Sequence, residues 1–274
     1  YQVGEIARQQ YDPRNKGALL DPQAEGFDAV FDRTKRLLDA NRPIFEAAFR
    51  TKEALAFADV LLPIRRGGKR GWKMIEVKSA TMIKDYHRDD VAIQAFIARA
   101  SGVHLLGAAV ACIDSKWVYQ GDGNYSGLLA ETDVTDESFA RGGEVKRWIS
   151  DAHCIVAGKT EPGVKMGGHC RDPFECGFSS HCMGLTPAPA HPISVLPGSL
   201  RKSLQALVDE KELTELRQVP DDLLNDRQLR VKRATLSGKH FFDQAAAARA
   251  LQQHKLPAYF MDFETIQFAV PIWK

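Results

Sequence analysis

Residues 57–79 read FADVLLPIRRGGKRGWKMIEVKS, and the folding of this stretch decides the class of the whole chain. An apolar run carrying one acid, Asp59, leads into the basic, glycine-rich tract RRGGKRG at 65–71, which reads as a turn. The segment after it reads as a strand. Trp72, Met74, Glu76 and Lys78 then share one face, and Lys73, Ile75 and Val77 share the other. An acid and an amine projecting side by side from an apolar strand are costly unless a metal or a substrate meets them. Asp59, on the preceding apolar strand, supplies a second carboxylate.

Outward from this stretch, IFEAAF (44–49) and ALAFADVLL (54–62) are short apolar runs separated by Arg50-Thr51-Lys52, the pattern of a hairpin. FDAVFDRTKRLLDA (27–40) places Phe27, Val30, Phe31, Thr34, Leu37 and Leu38 on one helical stripe. KDYHRDDVAIQAFIARASG (84–102) predicts a helix capped by Asp89 or Asp90 and ended at Gly102. VHLLGAAVACI (103–113) and KWVYQGD (116–122) predict two further strands, and a helix is expected at about 136–157. Helices alternating with strands give an α/β domain around a central mixed sheet, over residues 1–157. Residues 158–197 break into Gly, Pro and Cys and read as a linker or metal-organised loop. Residues 198–256 are helical and charged, and PAYFMDFETIQFAVPIW, in 257–274, begins as a buried strand. Tyr1 falls inside the helical pattern VGEIARQQY and Lys274 closely follows the last strand pattern, so the chain is expected to be a fragment of a longer protein.

Composition sets only broad bounds. The 274 residues are 44% hydrophobic and 26% charged, ordinary for a globular chain with room for one large or two modest cores. A net charge of +2 is too mild to argue for nucleic acid by itself. No apolar run reaches the length of a membrane span and no signal peptide is visible, so a cytoplasmic protein without membrane partners is expected. Cys170, Cys176 and Cys182 fall in GGHCRDPFECGFSSHC without apolar periodicity, which suits metal ligation better than core packing. His169 or His181 could complete a zinc site. Cys112, in an apolar strand, reads as a buried structural cysteine.

Two carboxylates at Asp59 and Glu76 suit Mg²⁺ or Mn²⁺, hard cations that take oxygen ligands and acidify bound water. Lys78 beside such an ion could orient that water and stabilise charge on a phosphate. Gln94 lies one turn after Asp90, so both can face the same place, and Lys84, His87 and Arg88 could contact a nucleic-acid backbone.

Asp59, Glu76-Val77-Lys78 and Gln94 on a following helix resemble the PD-(D/E)XK nuclease superfamily, in its RecB-like branch, over residues 44 to 120. The resemblance implies a restriction-endonuclease-like core with metal at Asp59 and Glu76, helped by the Val77 carbonyl. It also implies Lys78 and Gln94 in catalysis and a nucleic-acid partner, DNA being expected ahead of RNA. The family usually carries a histidine on an N-terminal helix, and the helix around Gly4 has none, leaving one metal ligand unassigned. Some RecB-like nucleases hold a [4Fe–4S] cluster on three C-terminal cysteines and one upstream. This implies a cluster at Cys170, Cys176 and Cys182, with the fourth ligand expected before Tyr1. Asp262 and Glu264 in DFET resemble the first metal-binding motif of DEDD exonucleases, and so the truncated start of an RNase H-like domain. The whole order is similar to that of a bacterial family classed as a domain of unknown function. The expected activity is metal-dependent DNA hydrolysis, exonuclease-like on single strands or ends. The alternative is a non-catalytic nucleic-acid-binding scaffold with a structural metal or iron–sulfur loop.

Overall fold

The computed structural model describes residues 2–185, 188–254, 257, 259–266 and 268–270. Of these, the residues up to 162 and those from 265 onward form one unit, and those from 163 to 264 form a second.

The first unit is built on a six-stranded mixed sheet whose spatial order follows the chain: β1 (Ala18–Leu19), β2 (Ile44–Arg50), β3 (Leu55–Arg66), β4 (Lys69–Lys78), β5 (Leu105–Ile113) and β6 (Leu129–Asp133). The pairs β1–β2 and β4–β5 are parallel, and the other three are antiparallel. The basic tract makes the tight β3–β4 connection. Gly67 and Gly68 both have positive φ, 58° and 76°, which is what a two-residue hairpin turn of matching twist requires. Gly71 is needed for a different reason: a Cβ there would lie 2.5 Å from the carbonyl oxygen of His104 on β5's approach.

Both faces of the sheet are covered, which is why its strands are apolar on both sides. On one face Met74, Leu61, Ala108 and Val110 pack with residues of α3 (Phe27–Asp39) and α4 (Asp85–Ala100), among them Val30, Phe31, Val91 and Ala95. On the other face Phe45, Val60, Ile75 and Ala109 pack with Ile6 and Ala7 of α1 (Gln2–Tyr11). Successive residues Met74 and Ile75 thus go to opposite layers, as the period of a strand dictates. The helix α2 (Pro22–Glu25) is a single capped turn on the way into α3.

Three expectations need correction. Residues 116–122 form a loop and not a strand. Their aromatic residues turn on one another: Tyr119 stacks on Tyr125 at 5.0 Å and Trp117 lies 6.0 Å from both. The sheet is instead completed by β6, which the sequence reading did not anticipate. The helix α4 begins at Asp85, not at Asp89 or Asp90, because the Lys84 N–H is satisfied by His87 Nδ1 at 3.2 Å. The expected helix at 136–157 is two helices, α5 (Thr135–Ala140) and α6 (Gly142–Ala157), broken at Arg141.

The second unit has no named strand among its described residues. It comprises α7 (Ser179–Leu185), α8 (Lys202–Lys211), α9 (Asp226–Ser237) and α10 (Gln244–Gln252), with short 3₁₀ turns in the connections between α7, α8 and α9. Ile193, Leu196, Leu204, Leu216, Val219 and Leu224 make its core. Lys232 enters that core because its ammonium is met by the Val219 carbonyl and by Asp221, 2.6 Å away.

Candidate active site

The geometry of the site is written in the register of three neighbouring strands. Phe45 pairs with Val60 and Ala47 with Ala58, so Glu46 stands opposite Asp59. One step beyond the pair Val60 with Ile75, Asp59 in turn stands opposite Glu76. Three carboxylates therefore form a row across β2, β3 and β4. The ladder is interrupted at this row, and Glu46 takes φ 57°, in the left-handed region. For a non-glycine residue in a strand such a conformation costs about 1–3 kcal/mol.

Glu76 is buried, and both its oxygens are used: Lys78 Nζ lies 2.8 Å from Oε1 and Gln94 Nε2 donates to Oε2 at 2.8 Å. Lys78 also reaches Asp90 Oδ2 at 2.8 Å, so α4 delivers Asp90 and Gln94 to the acid–amine pair of β4 from adjacent turns. Asp59 is linked to the same strand through the backbone, its Oδ2 accepting the Val77 N–H at 2.6 Å. The part of Val77 seen engaging the site is its amide rather than its carbonyl. Gln94 Oε1 is buried with no hydrogen-bond partner among the described residues.

The electrostatics follow from this crowding. Burial first, and then the charge on Glu76, pushes the Asp59 carboxyl up to about 7, against the opposing pull of the Val77 N–H. Glu46 is raised by burial and by Glu76. Burial pulls Lys78 down, but its hydrogen bonds with Asp90 and Glu76 outweigh that and hold it above the ordinary lysine value. Glu76 and Asp90 thus share one ammonium, while Glu46 and Asp59 crowd Glu76 without an ion pair of their own. Glu46 and Asp59 open, with Val77 and Ser79, into a cleft of about 1190 Å³ whose walls include Glu5 and Arg8 of α1 and the rings of Phe27 and Phe57.

No protein-family model matches the chain, and no curated protein matches it.

The structure brings Asp59, Glu76, Lys78 and Gln94 together at one place. Glu46 was missed by the sequence reading, although an acid inside the apolar run IFEAAF was a usable signal. The other expected site residues are not gathered. Among the described residues, no group of three or more His, Cys, Asp or Glu is arranged to hold a metal ion. Cys170 is buried on a 3₁₀ turn, Cys176 and Cys182 are half-buried, and all three are free thiols. The Cys176 N–H donates to the Cys170 carbonyl at 2.8 Å, a backbone link that does not converge the sulfurs. The described residues therefore do not fit a [4Fe–4S] cluster, which needs four thiolates on one centre. Asp262 and Glu264 do not lie on a strand: residues 259–266 are irregular, with Tyr259 and Phe260 more than nine-tenths exposed. A strand pattern without a neighbouring strand has nothing to take its backbone hydrogen bonds.

The row of acids is another matter. As they stand, Asp59 is turned to the Val77 amide and Glu76 to Lys78 and Gln94. The donor set of Glu46, Asp59 and Glu76 is nevertheless all hard oxygen, with more carboxyls than cations, and the Gln94 amide that bonds Glu76 has its Oε1 unpartnered. Oxygen donors of this kind are the type that hard divalent cations take, although the three carboxylates are not gathered around one point.

Proposed function

We propose that the first unit is a divalent-metal-dependent nuclease with a restriction-endonuclease-like core of the RecB-like PD-(D/E)XK kind, hydrolysing DNA phosphodiester bonds at single strands or ends. The observation that carries this reading is the row of Glu46, Asp59 and Glu76 across three strands, with the Lys78 ammonium 2.8 Å from the last of them. A structural salt bridge would need one acid for one amine. Here the carboxyls outnumber the amine, Glu76 is buried, and Glu46 and Asp59 are half-buried at the wall of a large cleft, an arrangement that is costly without a cation to offset it.

Asp59 and Glu76, with Glu46, would hold the ion. When bound, it supplies Lewis-acid stabilisation of the phosphate and a water acidic enough to give hydroxide near neutral pH. Lys78, kept protonated by Glu76 and Asp90, is a fixed positive charge for the phosphate oxygens as charge develops on them. Gln94 holds Glu76 in orientation, and the Val77 N–H does the same for Asp59. Phe27 and Phe57, edge to face at 6.0 Å on the cleft wall, offer apolar surface of the sort on which an unpaired base rests. No helix among the described residues is long and apolar enough to cross a membrane, which agrees with a substrate met in water.

The test is cleavage of end-labelled single-stranded DNA with Mn²⁺. Lys78→Ala and Glu76→Ala are each expected to lower the rate by about 10²–10³. Cutting by both variants at the wild-type rate would remove the chemistry from this site. Salt-sensitive binding with no metal-stimulated cutting by the wild type would favour the scaffold reading instead.

A further inference from the structure

The cations that the fold leaves without partners are not beside the row of acids. Arg88 is spent on Glu137 at 2.5 Å, His87 is buried, and Lys84 lies over the Tyr86 ring. At the other end of the β3–β4 hairpin the ladder sets Arg65 opposite Arg70 and Arg66 opposite Lys69. Like charges directly across a strand pair are destabilising, and here two such pairs follow one another. Arg66 donates to the Leu106 carbonyl and faces Asp133. Arg65, Lys69 and Arg70 are exposed and have no acidic partner among the described residues.

Other basic residues converge on the same end. Arg65 and Arg70 line a small hollow of about 160 Å³ with Asn41, next to Arg42. The Ala18 N–H donates to the Pro43 carbonyl at 2.9 Å, which brings the exposed loop carrying Arg14 and Lys16 alongside. The acids of these stretches are Asp12, whose Oδ2 is taken by the Gly17 N–H, and Asp39 at the end of α3. Six cations therefore face two acids.

We propose that this basic pole, Arg14, Lys16, Arg42, Arg65, Lys69 and Arg70, binds the phosphate backbone of a nucleic acid and anchors the strand away from the bond to be cut. Arg65 lies six positions from Asp59 on β3, and Arg70 six positions from Glu76 on β4. At ~3.3 Å per residue this is roughly 20 Å. One strand of a duplex carries a phosphate every ~3.4 Å along the axis, so in duplex geometry the anchor lies about six nucleotides from the row of acids, and an extended single strand spans the same gap with fewer. That spacing rests on the nuclease reading, but the binding itself does not. The repulsion stored in the paired arginines is relieved by the polyanion, and release of its condensed counterions drives association.

The experiment measures binding of a fluorescent single strand of about 30 nucleotides to the protein in a chelator, over a range of KCl. Wild type is compared with the triple variant Arg65→Ser, Lys69→Ser, Arg70→Ser, which leaves the turn glycines in place. The plot of log K against log salt should become less steep by about 2, at ~0.7 per lost phosphate contact, with affinity at least about tenfold weaker at moderate salt. The charge-preserving variant Arg65→Lys, Arg70→Lys should keep the wild-type slope, which separates loss of charge from damage to the hairpin. An unchanged slope in the triple variant overturns the proposal. So does binding to phosphatidylserine vesicles with none to the oligonucleotide. Cleavage with Mn²⁺ separates the two readings. Hairpin-dependent binding without cutting keeps the anchor and removes the nuclease, whereas cutting with an unaltered salt slope does the reverse.

Discussion

Glu46 and Asp59 face each other across β2 and β3 at the one position where the ladder between Ile44 and Arg50 is interrupted, and Glu46 holds a left-handed backbone to do so. An ordinary sheet would continue its pairing through this position with a relaxed glutamate. The chain instead keeps two acids side by side with Glu76 beyond them, a local cost that fits a site built for a cation.

Glu46 is therefore expected to share in metal binding. Glu46→Gln should weaken Mn²⁺ affinity by at least about tenfold, since one charged oxygen donor becomes a neutral one. Isothermal titration reads this directly. Undiminished Mn²⁺ binding by the variant would leave the strained backbone at this position without a role.

Stability should depend on pH through Asp59. Its unfolded carboxyl titrates near 3.8, and the folded one near 7. Below the lower value the group is neutral in both states and costs nothing. As pH rises between the two, the unfolded chain gives up the proton while the folded one keeps it, so stability falls, and the loss is complete above about 7. Asp59→Asn should accordingly be more stable than wild type at pH 8 in the absence of metal, with the advantage gone near pH 4. Urea unfolding at the two pH values decides this, and an equal gap at both would exclude Asp59 as its source.

Lys78 is a partner to two acids at once. Lys78→Ala leaves Glu76 buried without a counter-charge and should destabilise the fold by about 3 kcal/mol. Thermal unfolding at neutral pH measures this, and divalent metal should restore part of the loss by taking the place of the ammonium. A variant as stable as wild type would mean that Glu76 is solvated after all.

Gly71 is a packing requirement unrelated to the site. Gly71→Ala sets a methyl group 2.5 Å from the His104 carbonyl oxygen and 2.7 Å from Leu106 Cγ, so β4 and β5 must separate. The expected cost is about 1–3 kcal/mol in chemical denaturation. A neutral outcome would show that the β4–β5 contact is slack.

The parts of the molecule legible in sequence are those where one rule acted alone. Strand β4 shows its period through Trp72, Met74, Glu76 and Lys78, and its neighbours through the apolar runs on either side. Gln94 and Asp90 follow from helical spacing. Glu46 stands out in sequence only as an acid within the apolar run IFEAAF, whereas the broken ladder and positive φ that set it opposite Asp59 leave no pattern in the residues around it. Trp117, Tyr119 and Tyr125 carry strand propensity, but their rings are satisfied by each other, so propensity lost to local packing. Asp262 and Glu264 alternate as a strand would, yet no neighbouring strand among the described residues takes up their backbone. The three cysteines are close in sequence, but they fall on a 3₁₀ turn, a loop and α7, and no metal-holding group forms from them among the described residues.

The most direct test follows strand cleavage against Mn²⁺ concentration, with bound Mn²⁺ counted in the same samples by electron paramagnetic resonance. Wild type should cut in proportion to the ion it binds, and Asp59→Asn with Glu76→Gln should neither bind nor cut. Cutting that persists in that double variant, or an ion bound at full strength without these two carboxylates, would contradict the account.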